Sequence, residues 1–193
     1  NPVAAIRASG EVLVDGALDE PEEARRFVER ILEATSRIEA LLGDLLSLAR
    51  LEARGVEGAQ TVDLGKRAAA AIESTVETGS DVAVEVQGNV QVRGDGAWLT
   101  RAIANLVDNA RIHGDGPIKV RVWRDADDVC CSVANTGAVS RGVHKRLFRR
   151  FVTTREDRGG TGLGLPLVRA IAEAHGGEAA CVDPGPPEVA WRI

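Results

Sequence analysis

The apolar positions of the first sixty residues repeat as a helix does. From Phe27 they fall at Phe27, Ile31, Ala34, Ile38, Leu41, Leu45 and Leu48, alternating steps of four and three that trace a heptad seam. Leu42 and Leu46 widen the seam, and a wide stripe suits a four-helix bundle better than a two-stranded coil. Upstream, Val3, Ile6, Gly10 and Leu13 repeat the spacing over a shorter helix. The intervening "DGALDEPEE" carries the glycine, proline and acidic residues of a turn and a helix start. A helical hairpin is predicted. Two helices alone cannot bury so broad a face, so two chains are expected to pair their hairpins into a dimeric four-helix bundle. The alternative is that the hairpin packs on its own chain's second half.

After "ARGVEGAQ", read as a linker, the period changes. Residues 64–76 read as a helix, "VAVEVQG" and "VQVRGD" alternate like strands, and residues 97–113 are helical again. "IKVRVWR" and "DVCCSVAN" are strands, residues 163–174 a helix, and "EAACVD" and "EVAWRI" two closing strands. The fold class that follows is α+β: a hairpin over residues 1–58, then an α/β sandwich over 59–193 whose antiparallel-rich sheet carries helices on one face.

Composition narrows the partners. Among 193 residues, 29 acidic side chains outnumber 24 basic ones, which argues against a nucleic-acid surface. No apolar run approaches the roughly 18 to 20 residues of a membrane helix, and no signal peptide opens the chain, so a soluble chain without membrane contact is expected. Three cysteines without metal-ligand spacing read as reduced core thiols. The chain contains no methionine and starts at Asn1-Pro2, as a piece of something longer would.

The stretch "DRGGTGLGLPLV" packs four glycines into six residues and then enters a helix. A Walker A loop needs a lysine after its last glycine, where Leu165 stands. A dinucleotide fingerprint needs a third glycine, where Leu167 stands. A bare surface loop is the remaining reading from this stretch alone. Elsewhere, Asn105 and Asn109 lie four apart on one flank of a mostly apolar helix, either as satisfied structural polars or as ligands for something polar. "VANTG" ends a strand at Asn135 with a turn expected at Gly137, and "RLFRRF" offers Phe148 and Phe151 in a basic setting.

In order and spacing, "NLVDNA", "ANTG", "LFRRF" and "GGTGLGLPLVRAIAEAHGG" resemble the N, G1, F and G2 boxes of sensor histidine kinases. These belong to the wider Bergerat-fold (GHKL) ATPases, and the hairpin resembles the family's dimerisation and histidine-phosphotransfer domain. The likeness implies that Gly160, Thr161, Gly162, Leu163 and Gly164 form the loop and helix start that fold over the phosphates of ATP. It implies a magnesium ligand in Asn109, a supporting role for Asn105, and adenine recognition by Asn135 beside Gly137. Asparagine keeps the acceptor of the family's usual aspartate without its charge. Phe148 and Phe151 match the box anchoring a mobile lid over about 138–160, although each alone could be an ordinary core aromatic.

The resemblance further implies a homodimer, in-line transfer of the ATP γ-phosphoryl to a histidine, and a second transfer to a response regulator receiver domain. Asn1-Pro2 matches the fourth and fifth positions after the family's phosphoacceptor histidine, which places that histidine upstream. Asn1 then orients a hydrolytic water, and His113, His144 and His175 take structural or surface roles. The implied location is cytoplasmic, with an inner-membrane anchor in an upstream segment. Two departures stand out: Ile112 replaces a phosphate-facing lysine, leaving Arg111, His113 or Arg155 to supply that charge, and Val139 replaces the second G1 glycine. An ATP-binding module with weak or no kinase activity, acting as phosphatase or scaffold, is the alternative. A DNA-repair or chaperone ATPase would share the boxes but would not need the hairpin.

Overall fold

The computed structural model describes residues 1–76, 81–153 and 160–193. Two helices open the chain, α1 (Pro2–Val14) and α2 (Pro21–Arg54), joined through a 3₁₀ turn at Ala17–Asp19. Asn1 caps α1, its Oδ1 accepting the Val3 N–H at 3.1 Å. Pro2 takes the first helical position, where a missing N–H loses nothing. Gly16, at φ 131°, turns the chain between the helices. Glu22 and Glu23 in the first turn of α2 meet the positive end of its dipole.

Leu13, Ala17, Ala34 and Leu48 are buried, yet Leu42, Leu45 and Leu46 are 55 %, 46 % and 48 % exposed. By packing, the chain divides inside α2. Asn1–Leu46, with Thr153, Gly160 and Thr161, forms one compact unit, and the described residues of 47–152 and 162–193 form the other.

The second unit runs β1 (Gln60–Asp63), α3 (Leu64–Thr75), β2 (Val82–Gln87), β3 (Gln91–Gly94), α4 (Gly96–His113), β4 (Asp115–Asp125), β5 (Asp128–Thr136), α5 (Arg141–His144), α6 (Gly164–Ala174), β6 (Ala180–Pro184) and β7 (Glu188–Arg192). Five strands make the main sheet in the order β2-β4-β5-β7-β6, while β1 and β3 pair separately. Only β2 and β4 run parallel, Val84 opposite Val120 and Val86 opposite Val122. The other ladders are antiparallel.

Alternation decides which face is covered. Val120, Val122, Cys131, Val133, Val189 and Trp191 point one way into a core completed by Leu64 and Ala68 of α3, Ile103, Leu106 and Val107 of α4, and Val168 of α6. Their strand neighbours Lys119 and Arg121 face outward and pair with Glu188 at 2.7 Å and Glu85 at 2.9 Å. The sandwich is therefore helices on one face of a mostly antiparallel sheet.

Asp95 caps α4, its Oδ1 accepting from Ala97 at 2.8 Å and Trp98 at 3.3 Å. The end of α6 is fastened beside that cap, because His175 Nε2 accepts the Asp95 N–H. Helices α4 and α6 thus run antiparallel, and the first turn of α6 arrives beside the later half of α4.

Three readings need amendment. The linker around "ARGVEGAQ" gives up Ala53 and Arg54 to α2 and Gln60 to β1. Strand β1, with one apolar residue in four, has no period to betray it. At Gly137 the chain does not turn: its N–H donates to the Pro187 carbonyl at 2.9 Å and Val139 donates to Pro184 at 2.7 Å, so the segment runs on alongside the β6–β7 connection.

Candidate functional site

Gly162 has φ +66°, and an added Cβ would lie 2.8 Å from both Cα and C of Phe151. Only a residue without a side chain allows that approach. The Phe151 N–H donates to the Gly162 carbonyl at 2.9 Å, closing the base of the segment between them. Leu163 follows as the N-cap of α6 with no side-chain cap bond, and its own side chain is buried at 1 % exposure. Leu163 can therefore offer a ligand only its backbone. An uncapped helix start carries outward N–H groups and the positive end of the dipole, which suits an anion.

Gly164, the first residue of α6, lies against α4, where a Cβ would contact Asn105 Oδ1 at 3.4 Å. Asn105 and Asn109 are half-buried on the same helix, and neither side chain hydrogen-bonds to a described residue. That separates them from satisfied structural polars. Asp108 beside them is engaged by Arg111 at 3.0 Å.

Asn135 sits on β5, 4 % exposed, with Nδ2 donating to the Thr136 carbonyl at 2.9 Å. It faces Gly114, which ends α4, and Gly137, whose added Cβ would lie 3.4 Å from Nδ2. Residues 105, 109, 135, 137, 162, 163 and 164 thus belong to one unit, around α4, its C-terminal end and the start of α6. Gly160 and Thr161 belong to the other unit. They line a cavity of about 210 Å³ with Asn1, Pro2, Arg37 and Leu41, and Thr161 Oγ1 donates to Asp44 Oδ2 at 3.2 Å.

Phe148 is packed on the core, edge-to-face with Trp191 at 6.2 Å, whereas Phe151 is 66 % exposed at φ 63°. Ile112 is half-buried; Arg111, His113 and His144 are exposed; Arg155 lies outside the described residues, as do 157–159 of the glycine stretch. A larger cavity of about 690 Å³ lies elsewhere, at the start of α4 and the end of α6, lined by Leu99, Ile171 and His175. None of the expected site residues lines it. Burial pushes the Cys131 thiol up to about 12 and Cys181 to about 11. Thiols held neutral in this way are not nucleophiles. Gly114 and Thr136 were not among the expected site residues; the only signal was a glycine closing the helix after "ARIH".

A helix start bare of side-chain caps, set beside two unpartnered carboxamides on an α/β sandwich, is the layout of a GHKL-type ATP-binding domain. Residues 94–188 match the model of the "Histidine kinase-, DNA gyrase B-, and HSP90-like ATPase", and residues 1–54 match the "His Kinase A (phospho-acceptor) domain". The chain belongs to the sensor histidine kinase family of two-component systems. It is 34 % identical to the probable sensor histidine kinase TcrY of Mycobacterium tuberculosis over all of this chain and 42 % of TcrY. With the sensor protein IrlS of Burkholderia pseudomallei it shares 34 % identity over 83 % of this chain and 38 % of IrlS. It thus spans less than half the length of these relatives. Among solved structures, Acinetobacter baumannii histidine kinase AdeS superposes with TM-score 0.75 at 19 % identity, covering all of this chain and 93 % of AdeS. The mycobacterial histidine kinase MprB matches 70 % of this chain and 95 % of its own, with TM-score 0.57 and 28 % identity. No helix among the described residues is long and apolar enough to cross a membrane.

Proposed function

We propose that this chain is the ATP-binding and phosphotransfer portion of a sensor histidine kinase, divided near residue 58. Its reaction moves the γ-phosphoryl of ATP to a histidine nitrogen and then to an aspartate of a response regulator receiver domain. The observation that carries this reading is the uncapped start of α6 at Gly164, held beside Asn105 with Asn109 one turn further along. In the first step a nitrogen–phosphorus bond forms as the bond to the β,γ-bridging oxygen breaks, and ADP leaves. Phosphoryl transfer is catalysed by positioning and charge neutralisation, and the backbone around Gly162 and Gly164 supplies both to the phosphates.

Magnesium fits the residues present. Magnesium prefers one or two protein oxygens plus substrate phosphates and water, and the half-buried Asn109 carboxamide is a free oxygen donor at that place. When bound, the ion neutralises charge between the phosphates. Gly160 and Thr161 complete the loop in this reading. Asn1, whose Oδ1 already caps α1, retains its amide N–H groups to orient a hydrolytic water. The working form is a homodimer through α1 and α2, cytoplasmic, in a parent protein anchored to the inner membrane upstream.

One observation favours a second reading, a weak kinase serving as phosphatase or scaffold: Ile112 is apolar and half-buried where a phosphate-facing cation is expected. A titration with ATP, with and without magnesium, tests both. Magnesium-dependent binding that Asn109→Ala abolishes, with the helix content unchanged, supports the assignment; unchanged affinity in Asn109→Ala refutes it. Binding without turnover in a chain extended upstream favours the second reading.

A further inference from the structure

We propose that Gly114 is a positioning residue that sets base selectivity: its bare Cα leaves the room in which the Asn135 carboxamide is held in one orientation. This rests on the ATP reading above. Backbone conformation does not explain the glycine, since φ −108° and ψ 166° are open to any residue. Space does. A Cβ at Gly114 would lie 1.8 Å from Asn135 Nδ2, 2.5 Å from its Cγ and 2.8 Å from the Ala110 carbonyl.

The orientation matters because asparagine is ambiguous. An aspartate can only accept, whereas a carboxamide turned over presents N–H groups where its oxygen had been. Here Nδ2 donates to the Thr136 carbonyl at 2.9 Å, and the residue is 4 % exposed. Turning it over would set Oδ1 against the Thr136 oxygen, acceptor to acceptor, and strand a buried donor. The carboxamide oxygen is thereby the atom left to accept from a ligand. A 6-aminopurine donates at that position and a 6-oxopurine does not, so the neutral Asn135 selects adenine as long as it cannot turn. Gly114, 21 positions earlier in the chain, is what allows it to sit against Thr136 at all.

The test uses the whole chain with magnesium and two probes, ADP and GDP, whose shared phosphates cancel in the ratio of their affinities. The wild-type chain is expected to bind ADP at least roughly tenfold more tightly than GDP, the magnitude of a mismatched buried polar pair. Gly114→Ala is expected to bring that ratio towards unity, as is Asn135→Ala, and Gly114→Ala in the Asn135→Ala background is expected to change the ratio no further. Should Gly114→Ala fold poorly, Asn135→Ala should raise its melting temperature by removing the two side-chain atoms it strikes hardest, with the 2.8 Å contact to the Ala110 carbonyl remaining. A wild-type ratio retained in Gly114→Ala, or no rescue by Asn135→Ala, overturns the inference and leaves the glycine to the helix end. Equal wild-type binding of ADP and GDP overturns it while sparing the ATP reading. Failure of the wild-type chain to bind either nucleotide overturns both.

Discussion

His175 Nε2 accepts the backbone N–H of Asp95 at 3.1 Å, 80 positions away in the chain. Its other nitrogen lies 2.7 Å from the Ile171 carbonyl, so the ring is a neutral tautomer protonated on Nδ1. Gly94 makes room for it, since a Cβ there would lie 2.5 Å from the ring. A phosphoryl acceptor needs a free nitrogen lone pair, and here the one available is spent on a helix cap. His175→Ala is therefore expected to lower stability by about 1–2 kcal/mol through the orphaned Asp95 N–H. Urea denaturation measures it. A loss of phosphorylation without loss of stability would contradict this structural role.

Leu45 is half-exposed on a 34-residue helix, as are Leu42 and Leu46 beside it, whereas Ala34 and Leu48 of the same stripe are buried. Because the side chain is open in a single chain, Leu45→Glu should leave helix content intact and act only where a second copy covers the position. Sedimentation at micromolar concentration should give a dimer for the wild type and a monomer for Leu45→Glu. A wild-type monomer would count against the bundle.

Much of this layout was legible in the sequence, and the reasons are local. Helices α2, α4 and α6 each carry an apolar stripe, and β4 and β5 alternate over Ile118–Val122 and Cys131–Asn135, so period identifies them. Strand β1 is four residues with a single valine, and α5 is four residues with one apolar side chain. Neither is long enough to show a period. The parallel pairing of β2 with β4 depends on a crossover through β3 and α4, which no local pattern encodes. The site divides the same way. Asn105 and Asn109 share a flank because they are four apart, but the meeting of Gly114 with Asn135 is set by where α4 ends against β5.

The cysteines yield a dependence on pH. Cys131 is fully buried and its thiol is pushed from 9.0 up to about 12. The folded chain therefore favours the protonated thiol more than the unfolded chain does. Its contribution is fully present below pH 9 and is lost as pH rises from 9 towards 12, where the unfolded thiol ionises and the folded one does not. The loss should approach about 1.4 kcal/mol per pH unit for each such thiol. Denaturation at pH 8 and pH 10.5 should show the fall, and Cys131→Ala, although less stable at both, should show a shallower one. The same slope in both chains would refute the assignment.

Phe151 and Gly162 pinch together between the F-box and the start of α6, the Phe151 N–H donating to the Gly162 carbonyl. Both residues take left-handed conformations, φ 63° and φ +66°, but they stand there for opposite reasons. Gly162 is needed, since a Cβ would strike the backbone of Phe151 and Val152 at 2.8–2.9 Å. Phe151 is strained, a bulky residue at positive φ that is 66 % exposed and so gains little burial in return. Gly162→Ala is accordingly expected to break the Phe151–Gly162 hydrogen bond and shift the uncapped start of α6, weakening nucleotide binding while the dimer persists. Phe151→Gly should be neutral or stabilise the second unit by up to about 1 kcal/mol, because strain is relieved at the expense of a freer unfolded chain. Thermal melts with and without ADP separate the two effects. A Gly162→Ala chain that binds ADP as the wild type does would show that the pinch has no part in holding the phosphate site.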